Sequence, residues 1–175
     1  SSRLLVVNKI DLEKYVAGVV GSEISPKWHE EVLKVQAVAA RTYVLHKKLL
    51  SEQLLYDVVA STQDQVYTGS KQVNRSVLEA VNATRGQVVT YEGRPIFAAY
   101  SSTAAGPTED AFNVWEKDLP YLKGVDCPFD EESPRYTWKT AIPFNLFERS
   151  LRNEGLALGA MATLAPYTYT RAGRV

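Results

Sequence analysis

Leu12-Glu13-Lys14-Tyr15-Val16-Ala17-Gly18-Val19-Val20-Gly21-Ser22-Glu23-Ile24-Ser25-Pro26 is the stretch whose reading decides the fold. Leu12, Tyr15, Val16, Val19 and Val20 recur at the spacing of one helix face. Asp11 has the side chain of an N-cap. Pro26 disfavours helix at Ser25, so the run is predicted to stop there. Gly18 and Gly21 weaken the helix but let another backbone or a ligand come close. Glu23 sits at the end of this run among small residues. A solvated helix-end carboxylate is its ordinary reading; the alternative is a working acid.

The next run, residues 30–50, is the longest helical pattern in the chain. Val35, Val38, Thr42, Leu45 and Leu49 form one stripe, and Leu33, Ala37 and Val44 another. Two apolar stripes predict a long helix buried on both sides. Gln36 and Arg41 are polar exceptions within it, read either as surface or capping groups or as part of a site wall.

Outward from these helices, strands are predicted at residues 4–10, 56–60, 136–142 and 167–171. Residues 87–91 and 95–100 form a predicted hairpin around Glu92-Gly93-Arg94. Helices are expected at 74–84, closed by Gly86, at 107–115, and at 143–152 with Pro143 in the first turn. Residues 157–164 carry no clear pattern. The mixture, with at least one antiparallel pair, predicts an α+β fold: a partly antiparallel sheet around a long buried helix. No repeat or linker divides the chain, which reads as one domain over residues 1–175 with truncation expected at both ends. Residues 172–175 look like a turn leading onward.

The run Ser61-Thr62-Gln63-Asp64-Gln65-Val66-Tyr67-Thr68-Gly69 is rich in amides and hydroxyls and poor in charge, which suits neutral hydroxyl ligands as well as it suits a plain loop. Ser101-Ser102-Thr103-Ala104-Ala105-Gly106 follows the aromatic Tyr100. Twenty basic residues balance twenty acidic ones, so nothing in the charge points to nucleic acid or an anionic membrane. One cysteine, Cys127, forms no internal disulfide and offers at most one thiolate ligand. No apolar run reaches the ~20 residues of a membrane span, and no signal-peptide pattern opens the chain. Trp28, Trp115 and Trp138 read as core, with sugar stacking as the alternative.

Several of these blocks, in this order, resemble the SpoIID/LytB domain. They are residues 12–23, 33–43, 61–67, 84–89 and 100–106, within a likeness covering about residues 10–175. The resemblance implies a glycan groove, action on bacterial peptidoglycan outside the cytoplasm, and, for the LytB type, enhancement of a cell-wall amidase. An absent leader or anchor would account for export. In the sporulation enzyme, a lytic transglycosylase, the glutamate of the Ser-Glu block is the catalytic acid and base. Glu23 takes that position. Gln36, Arg41, Ser61, Gln63, Gln65, Tyr67, Tyr100, Ser101, Ser102 and Thr103 are then expected to bind substrate. Some members hold zinc partly by a histidine after the aromatic at the Tyr100 position. Ser101 stands there, so no metal or other cofactor is expected.

One carboxylate suffices for this reaction. A hydrolase needs a second one to handle water. A transglycosylase protonates the leaving oxygen, then uses the same group, now ionised, to take a proton from the C6 hydroxyl of the same sugar. Three readings stay open: this enzyme; a non-catalytic glycan binder that activates an amidase; and a hydrolase using Asp64, Glu109 or Asp110 beside Glu23.

Overall fold

The computed structural model describes residues 4–156, 159 and 163–175. The chain divides into two compact units, Ser1–Tyr100 and Ser101–Val175. The region without a clear sequence pattern, 157–164, lies largely outside the described residues.

The first unit is built on three helices. Helix α1, Leu12–Glu23, starts where Asp11 Oδ1 accepts from the Glu13 and Lys14 amides. Its last residue is Glu23, and Ile24 is already extended, as the following Ser-Pro requires. The helix is one turn longer than its apolar run because Gly21 packs rather than ends it. A Cβ on Gly21 would stand 2.6 Å from the Gln72 carbonyl oxygen. Helix α2, Glu30–Leu50, has the predicted bounds, with His29 Nδ1 accepting from the Glu31 amide at its start. Helix α3, Arg75–Ala83, is capped by Asn74 and followed by Gly86 at φ 73°. Val16, Val19 and Val20 of α1, Leu33, Ala37 and Ala40 of α2, and Val77 and Val81 of α3 form the buried core.

Helix α2 is buried around its whole circumference only in its middle, at residues 40–44. Leu33, Ala37, Ala40 and Val44 face the core, whereas Val35 is 68% exposed and Leu49 52% exposed. The predicted stripe of Val35, Val38, Thr42, Leu45 and Leu49 is therefore corrected: only its middle residue, Thr42, is fully covered.

The sheet is smaller than the sequence suggests. Strands β1, Thr90–Tyr91, and β2, Arg94–Pro95, pair antiparallel with Thr90 opposite Pro95 and Tyr91 opposite Arg94. Glu92 and Gly93 form the two-residue turn, both at positive φ, as a primed hairpin turn demands. The predicted strands at 4–10 and 56–60 are absent. Leu4 and Val6 are 90% and 82% exposed with no partner edge, and the Val59 amide is taken by the Asp64 carboxylate instead of a ladder.

The second unit contains α4, Ala111–Trp115, capped by Asp110, and α5, Phe144–Asn153, with Pro143 at the N-cap rather than in the first turn. Residues 136–142 and 167–171 form no strand. The Thr170 amide instead closes a turn onto the Arg174 carbonyl. Arg174 donates to the Ala104 and Pro107 carbonyls, and Asp130 accepts from the Ala104 and Ala105 amides, so the segment after Tyr100 is held by two side chains of its own unit. The fold is α+β, with five helices and one antiparallel pair among the described residues. No described helix is long and apolar enough to cross a membrane.

Candidate active site

Glu23 closes α1, and the loop after residue 60 folds back over it. The Val66 amide donates to Glu23 Oε1 at 2.7 Å, and the Tyr100 hydroxyl donates to the same oxygen at 3.2 Å. Oε2 has no protein hydrogen-bond donor among the described residues. The side chain is half-buried. A helix C-terminus is a poor place for negative charge. Two donors on one oxygen offset that and fix the carboxyl plane.

The loop reaches Glu23 because three of its residues are tied down. Asp64 accepts from Tyr43 Oη at 2.9 Å and Lys47 Nζ at 2.8 Å on one oxygen, and from the Val59 amide at 2.8 Å on the other. Burial opposes its charge, but the Lys47 ammonium, the Val59 amide and the Tyr43 hydroxyl outweigh it and hold the carboxyl below its ordinary range. Gln65 is fully buried: Nε2 lies 3.3 Å from the Ala40 carbonyl and 3.2 Å from Tyr100 Oη, and Oε1 lies 3.1 Å from Tyr15 Oη. Thr68 meets Ser22 through its hydroxyl at 2.8 Å.

Tyr67 completes the layer by stacking on Tyr15, ring centroids 5.2 Å apart. It can do so because residue 18 is glycine: a Cβ there would stand 2.4 Å from Tyr67 Cε2. The expected close approach at both Gly18 and Gly21 is thus made by protein, not by ligand. Burial, first, and then the nearby Glu23 carboxylate push the Tyr100 hydroxyl far above the usual phenol range, against the bond from Gln65; it remains a proton donor at neutral pH.

The other sequence candidates fall in different places. Arg41 is fully buried and lines no groove. It donates to both Glu13 oxygens, at 3.0 and 2.7 Å, and to the Gln87 carbonyl at 3.0 Å, so it clamps α1 to α2 and to the chain after α3. Gln36 is half-buried, with Nε2 buried and without a hydrogen-bond partner among the described residues. Ser61 is half-buried and Gln63 exposed. Ser101 and Ser102 are exposed in the second unit, and Thr103 shares a hydrogen bond with Ser133 there. Asp64 is committed to its three donors. Glu109 and Asp110 belong to the second unit, where Glu109 accepts from Thr170 and Asn113, and Asp110 caps α4. The tryptophans are surface residues: Trp28 is 51%, Trp115 43% and Trp138 77% exposed. Among the described residues no group of three or more His, Cys, Asp or Glu could hold a metal ion.

Sequence reading missed Tyr15, Tyr43, Lys47 and the Val66 amide. Tyr15 and Tyr43 were hidden in apolar helix faces. The signal was available: a buried tyrosine hydroxyl needs a partner, and the amide-rich run 61–67 is the part of the chain best supplied with them.

What these elements make is a helical α+β unit that presents one carboxylate anchored through one oxygen, the other having no donor among the described residues. The family model described as Stage II sporulation protein, SpoIID, matches residues 1–91, and the chain belongs to this family. It is 36% identical over 172 residues to an uncharacterized protein of Brachyspira hyodysenteriae, covering 98% of this chain and 46% of that one. It is 34% identical over 177 residues to Stage II sporulation protein D of Bacillus amyloliquefaciens, covering 93% of this chain and 51% of the relative. An amidase enhancer of Bacillus subtilis is 38% identical over 125 residues, 71% of this chain and 16% of that protein. The chain spans about half or less of the length of these relatives.

Proposed function

We propose that the chain carries the catalytic centre of a peptidoglycan lytic transglycosylase acting outside the cytoplasm, with Glu23 as acid and then base. The observation that carries this is the split environment of Glu23: two donors on Oε1 and, among the described residues, none on Oε2. A group that must give up a proton and take one back needs one oxygen fixed and the other free to reach the substrate.

Oε2–H protonates the oxygen bridging MurNAc and GlcNAc as the bond from that oxygen to the anomeric carbon breaks. The ionised carboxylate then takes the proton of the muramic C6 hydroxyl, whose oxygen bonds to the anomeric carbon. The product is a 1,6-anhydro end, and Glu23 is reprotonated. No water enters, and Asp64, the candidate second carboxylate of the first unit, is engaged by Tyr43, Lys47 and the Val59 amide. Ser61, Gln63, Tyr67 and the Gln36 amide, whose Nε2 has no hydrogen-bond partner among the described residues, are candidate sugar contacts in the first unit, and Ser101, Ser102 and Thr103 are separate candidates in the second. Strands stripped of stem peptides are the substrate this reading favours. Incubation with such strands is expected to yield anhydro-ended fragments; reducing ends would point to hydrolysis instead.

The similarity to an amidase enhancer supports a second reading, a glycan-binding partner of a cell-wall amidase. Retained glycan binding and amidase stimulation, without anhydro product, would favour it.

A further inference from the structure

We propose that Gln65 is a positioning residue for Glu23: it fixes the direction of a buried hydrogen-bond chain so that the Tyr100 hydroxyl always points its proton at the catalytic carboxyl. The proposal rests on Glu23 being the acid of the reaction.

The direction follows from one fixed acceptor. The Ala40 carbonyl, 3.3 Å from the Gln65 amide, can only accept. The atom facing it must therefore be the Gln65 nitrogen, which settles the orientation of the amide. Oε1 then faces Tyr15, whose hydroxyl donates to it at 3.1 Å. The second Nε2 proton points at the Tyr100 oxygen, 3.2 Å away. Tyr100 has one proton, and with Gln65 donating into its lone pair that proton is left for Glu23 Oε1, also at 3.2 Å. The opposite order would turn the Gln65 carbonyl against the Ala40 carbonyl, two buried acceptors with nothing between them.

Every link is protein, and Gln65 has no exposed surface. The chain therefore holds its order while substrate comes and goes. When Glu23 gives its proton to the leaving oxygen, the donor that stabilises the new charge is already aimed, with no hydroxyl rotation to wait for. Gln65 touches neither the carboxyl nor the sugar in this account and acts through Tyr100.

A double-variant cycle on Gln65→Met and Tyr100→Phe tests it. Each single change is expected to lower kcat about 10- to 100-fold, the cost of one hydrogen bond to a charged group, with KM within about twofold. The double variant should be no slower than Tyr100→Phe alone. If the two losses multiply, Gln65 acts independently of Tyr100 and the proposal is overturned. Side-chain amide exchange of Gln65, followed by NMR, reads the same chain without activity. Its protons should be protected in the wild type, and one should exchange at least about tenfold faster in Tyr100→Phe. Unchanged exchange overturns the proposal, and this arm stands even where Gln65→Met fails to fold. A wild type that makes no anhydro product would sink the transglycosylase reading, while the exchange result would still decide the order of the chain.

Discussion

At the scale of single residues, Glu23 is held by two bonds that a glutamine can also accept. Glu23→Gln should therefore fold with stability within about 0.5 kcal/mol of the wild type, while losing about 10²- to 10⁴-fold in activity. Thermal melting beside a rate assay separates the two effects. Gly21 allows the opposite test. Alanine gains up to about 1 kcal/mol of helix propensity over glycine. Here its Cβ would meet the Gln72 backbone oxygen at 2.6 Å, and backbone cannot swing aside. Gly21→Ala is expected to destabilise by about 1–3 kcal/mol net, measured by denaturant unfolding. A gain in stability would contradict the packing described. Glu23 and Gly21 were both legible in the sequence, as a lone carboxylate and as a glycine permitting close approach. The Val66 partner of Glu23 was not, because a backbone amide leaves no trace in residue type, and Tyr100 reads there as a substrate contact rather than as a donor to Glu23. Nor does sequence tell whether a polar side chain such as Gln65 faces a ligand or the interior.

At the scale of elements, what holds α1 against α2 is a buried ion pair as well as the apolar core. Arg41 has no exposed surface, and the Glu13 side chain is 13% exposed. Removing one partner of such a pair leaves a buried charge alone, so Arg41→Met should cost about 3–5 kcal/mol in denaturant unfolding. A milder loss would mean that Glu13 finds water. Asp64 ties the loop to α2, and its lowered pKa sets a pH dependence. Its contribution to stability is present above the unfolded carboxylate value of about 3.9 and is lost as pH falls through the lower folded value. The unfolding difference between wild type and Asp64→Asn should be full near pH 6 and shrink below about pH 4. A difference that is the same at pH 3 would remove Asp64 from this role. Caps, glycines and apolar spacing made the helices readable: Asp11, Asn74 and Asp110 all cap the helices they precede. The strands were misread because β-branched runs such as residues 4–10 carry propensity but not a partner, and pairing is a property of two segments.

At the scale of the whole molecule, the helices of the first unit carry one face of polar residues among their apolar ones. Tyr15, Ala40 with its carbonyl, Tyr43 and Lys47 meet the loop of residues 61–68 and set Glu23 at its edge. The site is thus the exposed end of a buried polar layer, and its carboxyl is held by the same contacts that fold the loop. The measurement that tests the central claim most directly is product analysis of peptide-stripped glycan strands incubated with the wild type and with Glu23→Gln. The account predicts 1,6-anhydro-muramic ends from the wild type and none from a variant that still folds and still binds the strands. Anhydro ends formed equally by both proteins would contradict it.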